Sequence, residues 1–294
     1  MMTKTIGIAV IVLVGASWVQ GAGAASPSTQ PATQPSTQPA KELTLDLGNN
    51  ITMKLALIPA GKFTMGSPKE EQDAAMAAGV TRDLVPAEGP QHEVTISKPF
   101  YMGVHEVTQE QYEAVMDKNP SNFKGATNPV EKVSWDDAVA FCQALSRKTG
   151  KTVRLPTEAE WEYACRAGSK TRFSYGDDDN QLGNYAWYPA NSGGTAHPAG
   201  QKKPNAFRLY DMHGNVWEWC SDWYAAGYYA NANPIDPTGP AFGAPRRVLR
   251  GGSWGNAPQY CRSAFRLGYP PDYRYDIIGF RVSVDLPAGQ AGFK

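Results

Sequence analysis

Apolar residues recur at helical spacing in three places, and each time a polar pair suited to a helix start comes just before. Thr108-Gln-Glu-Gln111 precedes Tyr112, Val115 and Met116; Ser134-Trp-Asp-Asp137 precedes Val139, Cys142 and Leu145; Thr157-Glu-Ala-Glu160 precedes Trp161, Ala164 and Cys165. In each, the first hydroxyl can accept a bond from an otherwise unpaired amide of the first turn. Gly150 and Gly168 are the expected stops, because glycine takes the left-handed turn that ends a helix. Three short helices are predicted in the first two thirds of the chain. Strands are predicted at Met53 to Ile58, His92 to Ile96, Tyr101 to His105, Arg247 to Arg250 and Gly279 to Val284. Between Gly168 and Pro245 the chain is rich in Gly, Asn, Asp, Pro and aromatics and has no period, so turns, side-chain bonds, metals or disulfides must hold it. The expected class is α+β with a large share of irregular structure.

The ends read differently. Residues 1–25 hold one lysine, an apolar run from Ile6 to Val14 and an Ala22-Gly-Ala24 cleavage pattern, the plan of a secretory signal peptide. The run is shorter than the roughly 20 residues of a membrane span, and no cysteine near the cleavage point could take a lipid. A secreted or periplasmic protein without a transmembrane anchor in its mature form is expected. Residues 26–41 repeat Thr-Gln-Pro and read as a disordered linker. One domain then runs from 42 to 287, with a tail at 288–294.

Charge narrows the partners. Lysine plus arginine and aspartate plus glutamate are 28 each, the formal net charge is zero, and no basic run occurs. Nucleic acid and anionic membranes are therefore not expected as partners. His92, His105, His197 and His213 are scattered, with no HxH or HExxH spacing. Ser253 lacks a GxSxG frame, and Trp161, Trp217, Trp219 and Trp223 read as core. The acidic run Gly176 to Asn180 reads as a solvated turn. Arg262, Arg266 and Arg274 either face a pocket or brace loops. Four cysteines, Cys142, Cys165, Cys220 and Cys261, form no CxxC pair; an even number in an exported chain implies two disulfides with three possible connectivities.

Seven phrases, GKFTMGS (61–67), EVTQEQY (106–112), NPVEKVSWDDAVAFC (128–142), RLPTEAEWEYACRAG (154–168), LYDMHGNVWEW (209–219), RGGSW (250–254) and GFRV (279–282), occur in an order that resembles the formylglycine-generating enzyme family, also called sulfatase-modifying factors. The resemblance implies a C-type-lectin-like fold variant, rich in loops and containing calcium. In active members a cysteine pair binds copper and oxidises a sulfatase cysteine to formylglycine. That pair follows the GGS triplet, the first cysteine three residues on and the second five later. Here Asn256 stands at the first place, and the arginines of CRSAFR put Cys261 at a further, structural position. With Cys261 so assigned, Asn256 and Tyr260 are expected to occupy the pocket in which two thiolates suited to copper(I) would lie, so copper is not expected. A second alignment keeps Cys261 as one catalytic thiol.

The resemblance also implies that Trp217 and Ser253 line a pocket, with Trp254, Asn256, Tyr260 and Arg262 as its further candidates. Of the three connectivities, Cys220 to Cys261 with Cys142 to Cys165 is the one expected, although the partner that the resemblance implies for the cysteine of EYACRAG falls here on Val282. LYDMHGNVWEW matches a calcium loop that maps onto Asp211, Gly214, Val216 and Glu218, hard oxygen ligands of the kind calcium accepts. Without the resemblance, Asp211 would be a turn residue and Glu218 an arginine partner. Asn184 and Tyr185 match half of a second calcium site whose aspartate is missing. The expected function is binding of a peptide, glycan or protein partner, or an unrecognised chemistry; the alternative is a formylglycine-generating oxidase.

Overall fold

A computed structural model describes residues 40–241 and 244–286. The expected signal peptide, most of the expected linker and the expected tail lie outside the described residues. Fifteen regular elements run in chain order: β1 (Glu42–Gly48), β2 (Ile51–Ile58), β3 (Gly61–Met65), α1 (Lys69–Ala77), β4 (His92–Ile96), β5 (Phe100–Gly103), α2 (Gln109–Met116), α3 (Trp135–Thr149), β6 (Val153–Arg154), α4 (Glu158–Arg166), β7 (Trp217–Trp223), β8 (Arg247–Arg250), β9 (Arg266–Tyr269), β10 (Ile278–Gly279) and β11 (Ser283–Asp285).

The three expected helices are α2, α3 and α4. Each starts at its predicted hydroxyl: Thr108 Oγ1 accepts Gln111 N at 3.3 Å, Ser134 Oγ accepts Asp137 N at 3.0 Å and Thr157 Oγ1 accepts Glu160 N at 3.1 Å. Gly150 ends α3 with φ 67°. α4 ends one residue earlier than expected, with Ala167 in the left-handed region and Gly168 following at φ 92°. The fourth helix, α1, follows Pro68 and has no side-chain cap, so no start signal marked it. The expected strand at 101–105 ends at Gly103.

The five-stranded sheet has the order β1-β2-β5-β11-β6 and the four-stranded sheet β10-β7-β8-β9, while β3 pairs with β4. Alternation along β2 and β5 assigns side chains to two faces. Leu55 and Tyr101 join one apolar cluster with Tyr112, Phe141 and Phe280; Ala56, Ile58, Phe100 and Met102 join another with Trp161, Cys220 and Val248. In the first, Phe141 stacks on Tyr112 at 5.5 Å and meets Phe280 edge-on at 5.3 Å. The strand expected from Gly279 to Val284 is two strands in two sheets: β10 runs parallel to β7, and β11 lies between β5 and β6. The buried segment Phe280-Arg281-Val282 joins them.

Buried arginines and carboxylates pair with one another beside the apolar clusters. Glu158 and Glu162, one turn apart on α4, reach β8 and β9. Glu162 receives Arg250 Nη2 at 2.6 Å and Arg166 Nε at 2.8 Å. Glu158 receives Arg266 through Nε and Nη2, both at 2.7 Å, and Arg250 Nη1 at 3.3 Å. Arg262 pairs with Glu71 and Glu88, and Arg281 with Glu218. Burial pushes the Glu162 carboxyl up, but Arg166 and Arg250 outweigh it and hold the group below the ordinary carboxylate range.

Glu162→Gln leaves two buried guanidiniums short of a charge, and stripping one partner from a buried pair costs about 3 to 5 kcal/mol. Equilibrium denaturation is expected to show a loss of that size; a change under about 1 kcal/mol would show the ion network to be dispensable.

Asp222 is buried beside Glu158 with no ion-pair partner among the described residues. It accepts Glu158 N and Ser221 Oγ, each at 2.9 Å. Burial first and Glu158 second push its pKa from 3.8 to about 7. The folded state therefore holds a proton that the unfolded chain has lost, and the contribution to stability, full below about pH 4, is lost as pH rises to about 7. Asp222→Asn is expected to flatten the fall in Tm across that window, which thermal melts from pH 4 to 8 can read.

Candidate functional site

The loop that carries the candidate residues leaves β8 through two glycines. A Cβ on Gly251 would lie 3.2 Å from the Trp161 ring, and one on Gly252 only 2.6 Å from Cys261 Sγ; both have left-handed φ. Glycine is required at 252 because the chain folds back onto its own cysteine there.

Asn256 is the hub of the loop. Its Oδ1 accepts Trp217 Nε1 at 2.8 Å and also the Ser253 hydroxyl. Its carbonyl lies 3.6 Å from Cys261 Sγ. Trp217, Ser253, Asn256 and Cys261 therefore converge, and the neighbour of Asn256 is Cys261, five residues on. Tyr260, expected in the same pocket, points elsewhere: its ring meets Phe265 edge-on at 5.2 Å and its hydroxyl lies 3.4 Å from Gly79 O. Trp254 packs edge-on against Phe123 at 5.4 Å and donates to Asp276 O. It remains partly exposed.

Arg262 is not a pocket residue. Its guanidinium is consumed by Glu71 at 2.7 Å and Glu88 at 2.6 and 2.8 Å, and it is 1 % exposed. Arg266 is likewise bound to Glu158, and Arg274 pairs with Asp137 at 2.8 Å. All three brace loops.

The expected disulfides do not form. Cys142, Cys165, Cys220 and Cys261 are four separate buried thiols. Cys142 lies in the first apolar cluster, Cys165 and Cys220 in the second and Cys261 in a third with Phe173 and Leu182. Sequence counts cysteines but not the distances between them, and here different layers separate the expected partners. Burial pushes the Cys261 and Cys165 thiols up to about 12, so both are protonated and poor nucleophiles. His213 stands beside them with Nδ1 2.9 Å from Cys261 O and Nε2 2.9 Å from Ser174 Oγ. Burial lowers its pKa to about 4, which keeps the ring neutral.

A second constellation lies at the start of β7. Asp211 and Asn215 take left-handed φ, and a Cβ on Gly214 would meet Trp187 O at 2.3 Å. Asp211 Oδ2 accepts Gly200 N at 2.7 Å, while Oδ1 is buried without a partner. Glu218 receives Arg281 twice at 2.6 Å and Trp161 Nε1 at 2.7 Å, so its arginine pairing is realised. Beside them stands Glu106, fully buried, with neither carboxylate oxygen hydrogen-bonded. Burial, then Asp211 and Glu218, push Glu106 well above the ordinary range. Burial likewise raises Asp211 to about 6, against the pull of Gly200 N–H and Arg281. Glu106 and Arg281 are not among the expected site residues; the available signal was their place inside the family phrases EVTQEQY and GFRV. Among the described residues no three His, Cys, Asp or Glu side chains form a metal cage by themselves, so main-chain oxygens such as those of Gly214 and Val216 would have to complete one.

Asn184 and Tyr185 have other engagements. The Asn184 carbonyl accepts Lys203 N at 2.8 Å and its amide donates to Gln181. Tyr185 stacks on Tyr175 at 4.3 Å. Lys202 donates to the neighbouring Gly183 carbonyl, which places ammonium groups rather than carboxylates around this pair.

Mixed helices, short curled sheets and long braced loops define a variant of the C-type-lectin-like fold. The chain belongs to the sulfatase-modifying-factor family: residues 47–286 match the Sulfatase-modifying factor enzyme 1-like domain. It is 42 % identical over 189 residues to the formylglycine-generating enzyme of Streptomyces coelicolor, covering 58 % of each protein. It is 32 % identical over 302 residues to the mouse formylglycine-generating enzyme, covering 79 % of this chain and 75 % of that protein. Chaperone protein LppX of Paenibacillus barcinonensis is 31 % identical over 242 residues, covering 65 % of this chain and 81 % of its own. Among solved structures, Treponema denticola variable protein 1 superposes with TM-score 0.75 at 32 % identity, covering 84 % of this chain and all of that one. PvdO from Pseudomonas aeruginosa gives 0.72 at 31 %, covering 83 % and 98 %.

Four buried, unpaired thiols have a direct signature. Alkylation of the denatured, unreduced protein is expected to label all four cysteines, and alkylation of the native protein none. Recovery of any disulfide-linked peptide by mass mapping would contradict the structure.

Proposed function

We propose that this is an exported member of the family that binds a polypeptide partner at the 250–266 loop and does not oxidise it. The observation that carries this reading is Asn256: an amide whose oxygen is already held by Trp217 and Ser253 stands where the first thiol is expected. A single thiol remains beside it, buried and protonated. One thiolate does not make the two-coordinate sulfur site that copper(I) prefers. Trp254 and Tyr260, both partly exposed, supply aromatic surface at the loop, a common anchor for peptide side chains. A relative named as a chaperone protein favours a polypeptide over a glycan.

The alternative is a formylglycine-generating oxidase, favoured by the contact of Cys261 with Asn256 at the spacing of the family pair and by the names of several relatives. Incubation with copper(I), oxygen and a Cys-x-Pro-x-Arg peptide separates the two. Fluorescence anisotropy is expected to report binding that Trp254→Ala weakens roughly ten-fold, a typical loss for an aromatic anchor, while mass spectrometry finds the peptide cysteine unchanged. Copper-dependent aldehyde formation, abolished by Cys261→Ser, would establish the oxidase.

A structural calcium ion belongs to the same reading. Glu106, Asp211 and Glu218 bring three carboxylates to a buried region where Arg281 is the ion-pair partner, and three of their oxygens have no hydrogen bond. Asp211 and Glu218, with the Gly214 and Val216 carbonyls, are the residues that would hold the ion, and its charge would offset the repulsion from Glu106 beside them that Arg281 leaves. Ligand in thousand-fold excess over Kd stabilises by about 4 kcal/mol. Chelation is therefore expected to lower Tm by several degrees, calcium to restore it, and Glu106→Gln to blunt the response; a Tm indifferent to chelator would remove calcium from the account.

A further inference from the structure

A cavity of about 640 Å³ lies away from both constellations, where α4 begins and β4, β5, β6 and β11 approach one another. It shares no lining residue with the 250–266 loop or the carboxylate cluster. Its apolar side is built from Ile96, Pro99, Phe100 and Leu286, of which Ile96 and Phe100 are almost wholly buried. The apolar surface continues past the rim: Ile235, next to the lining residue Asp236, is 54 % exposed, the largest value among the exposed large hydrophobic side chains.

The charged lining divides into a spent set and a free set. Arg154 is held by Glu160 at 2.6 and 2.7 Å and by Asp285 at 2.8 Å, so the guanidinium is spent and the set keeps one net negative charge. Asp236 accepts Ser97 N at 2.8 Å and the Ser97 hydroxyl, which fixes the carboxylate but supplies no positive charge. Lys98 has no hydrogen-bond or ion-pair partner among the described residues. The cavity thus offers one ammonium and one immobilised carboxylate, neither of them ion-paired among the described residues, around an apolar wall. The volume lies within the ordinary range of ligand pockets, about 300 to 1,000 Å³, and exceeds what a single amino acid would fill.

We propose that this cavity is a binding site for a short apolar peptide with both ends free. The ligand ammonium pairs with Asp236, its carboxylate pairs with Lys98, and its side chains lie against Pro99 and Leu286, the partly exposed members of the apolar wall. The Thr157 and Thr238 hydroxyls, also on the lining, are placed to bond the peptide amide. The proposal is independent of the polypeptide site at the loop, with which it shares no residue.

The test uses the full chain and the dipeptide Leu-Phe, titrated by isothermal calorimetry beside its N-acetylated and C-amidated forms. Saturable binding is expected, weakened roughly ten-fold by either cap, the usual effect of one charge-assisted bond. Lys98→Ala is expected to weaken the free dipeptide but not the amidated one, and Asp236→Asn the free dipeptide but not the acetylated one. Lys98 is exposed and unpartnered, so its variant folds; if Asp236→Asn melts early, the Lys98 arm decides alone. Binding indifferent to both caps, or no saturable binding at millimolar dipeptide, would overturn the proposal.

Discussion

Glu158 and Glu162 set the terms for the rest of the molecule. A carboxylate taken wholly out of water must be met by a cation and further hydrogen bonds, or it forces its own protonation. α4 places these two on one face, and β8, β9 and its own last turn answer with Arg250, Arg266 and Arg166. The pairings fix the distance and rotation between helix and sheet more tightly than apolar contact alone, because a guanidinium meets a carboxylate in few geometries. Much of the 168–245 region forms no regular strand or helix, so its position depends on anchors of this kind.

The 250–266 loop follows from that bracing. Arg250 holds its start through α4, while Arg262 and Arg266 hold its end through Glu88 and Glu158. Between fixed ends the chain turns sharply enough that Gly252 touches Cys261. Asn256 is then gripped by Trp217 and Ser253 at the centre. The arginines that suggested a ligand pocket in the sequence are thus the loop's supports, and the residues free to meet a partner are the aromatic ones.

Arg281 plays the corresponding part between the sheets. It lies in the three-residue passage from β10 to β11 and donates to Glu218 on β7, to Gly103 O at the end of β5 and to Tyr210 O. One side chain therefore ties both sheets to the loop before β7. Glu106 and Asp211 have no ion-pair partner among the described residues, and burial, reinforced by the neighbouring carboxylates, holds their carboxyls above the ordinary range against the pull of Arg281.

The sequence by itself determined what local chemistry decides. The three capped helices were legible because hydroxyl, spacing and apolar stripe all lie within one or two turns, and the family was legible because its phrases occur in order. Each helix start and each phrase is a short run of neighbouring residues. The tertiary structure decided the rest. β7 escaped notice because both its faces are covered, so WEWCSDW shows no alternation. Gly279 to Val284 read as one strand because nothing local says that its two halves join different sheets. The cysteines invited pairing by number, yet a disulfide needs two Cα atoms within about 7 Å, a relation between distant segments that no count contains. Glu106, Asp211 and Glu218 come together, and Cys261 rather than Tyr260 comes to Asn256, for the same reason: which side chains share a space is settled by how sheets and loops pack, not by the order of residues along the chain.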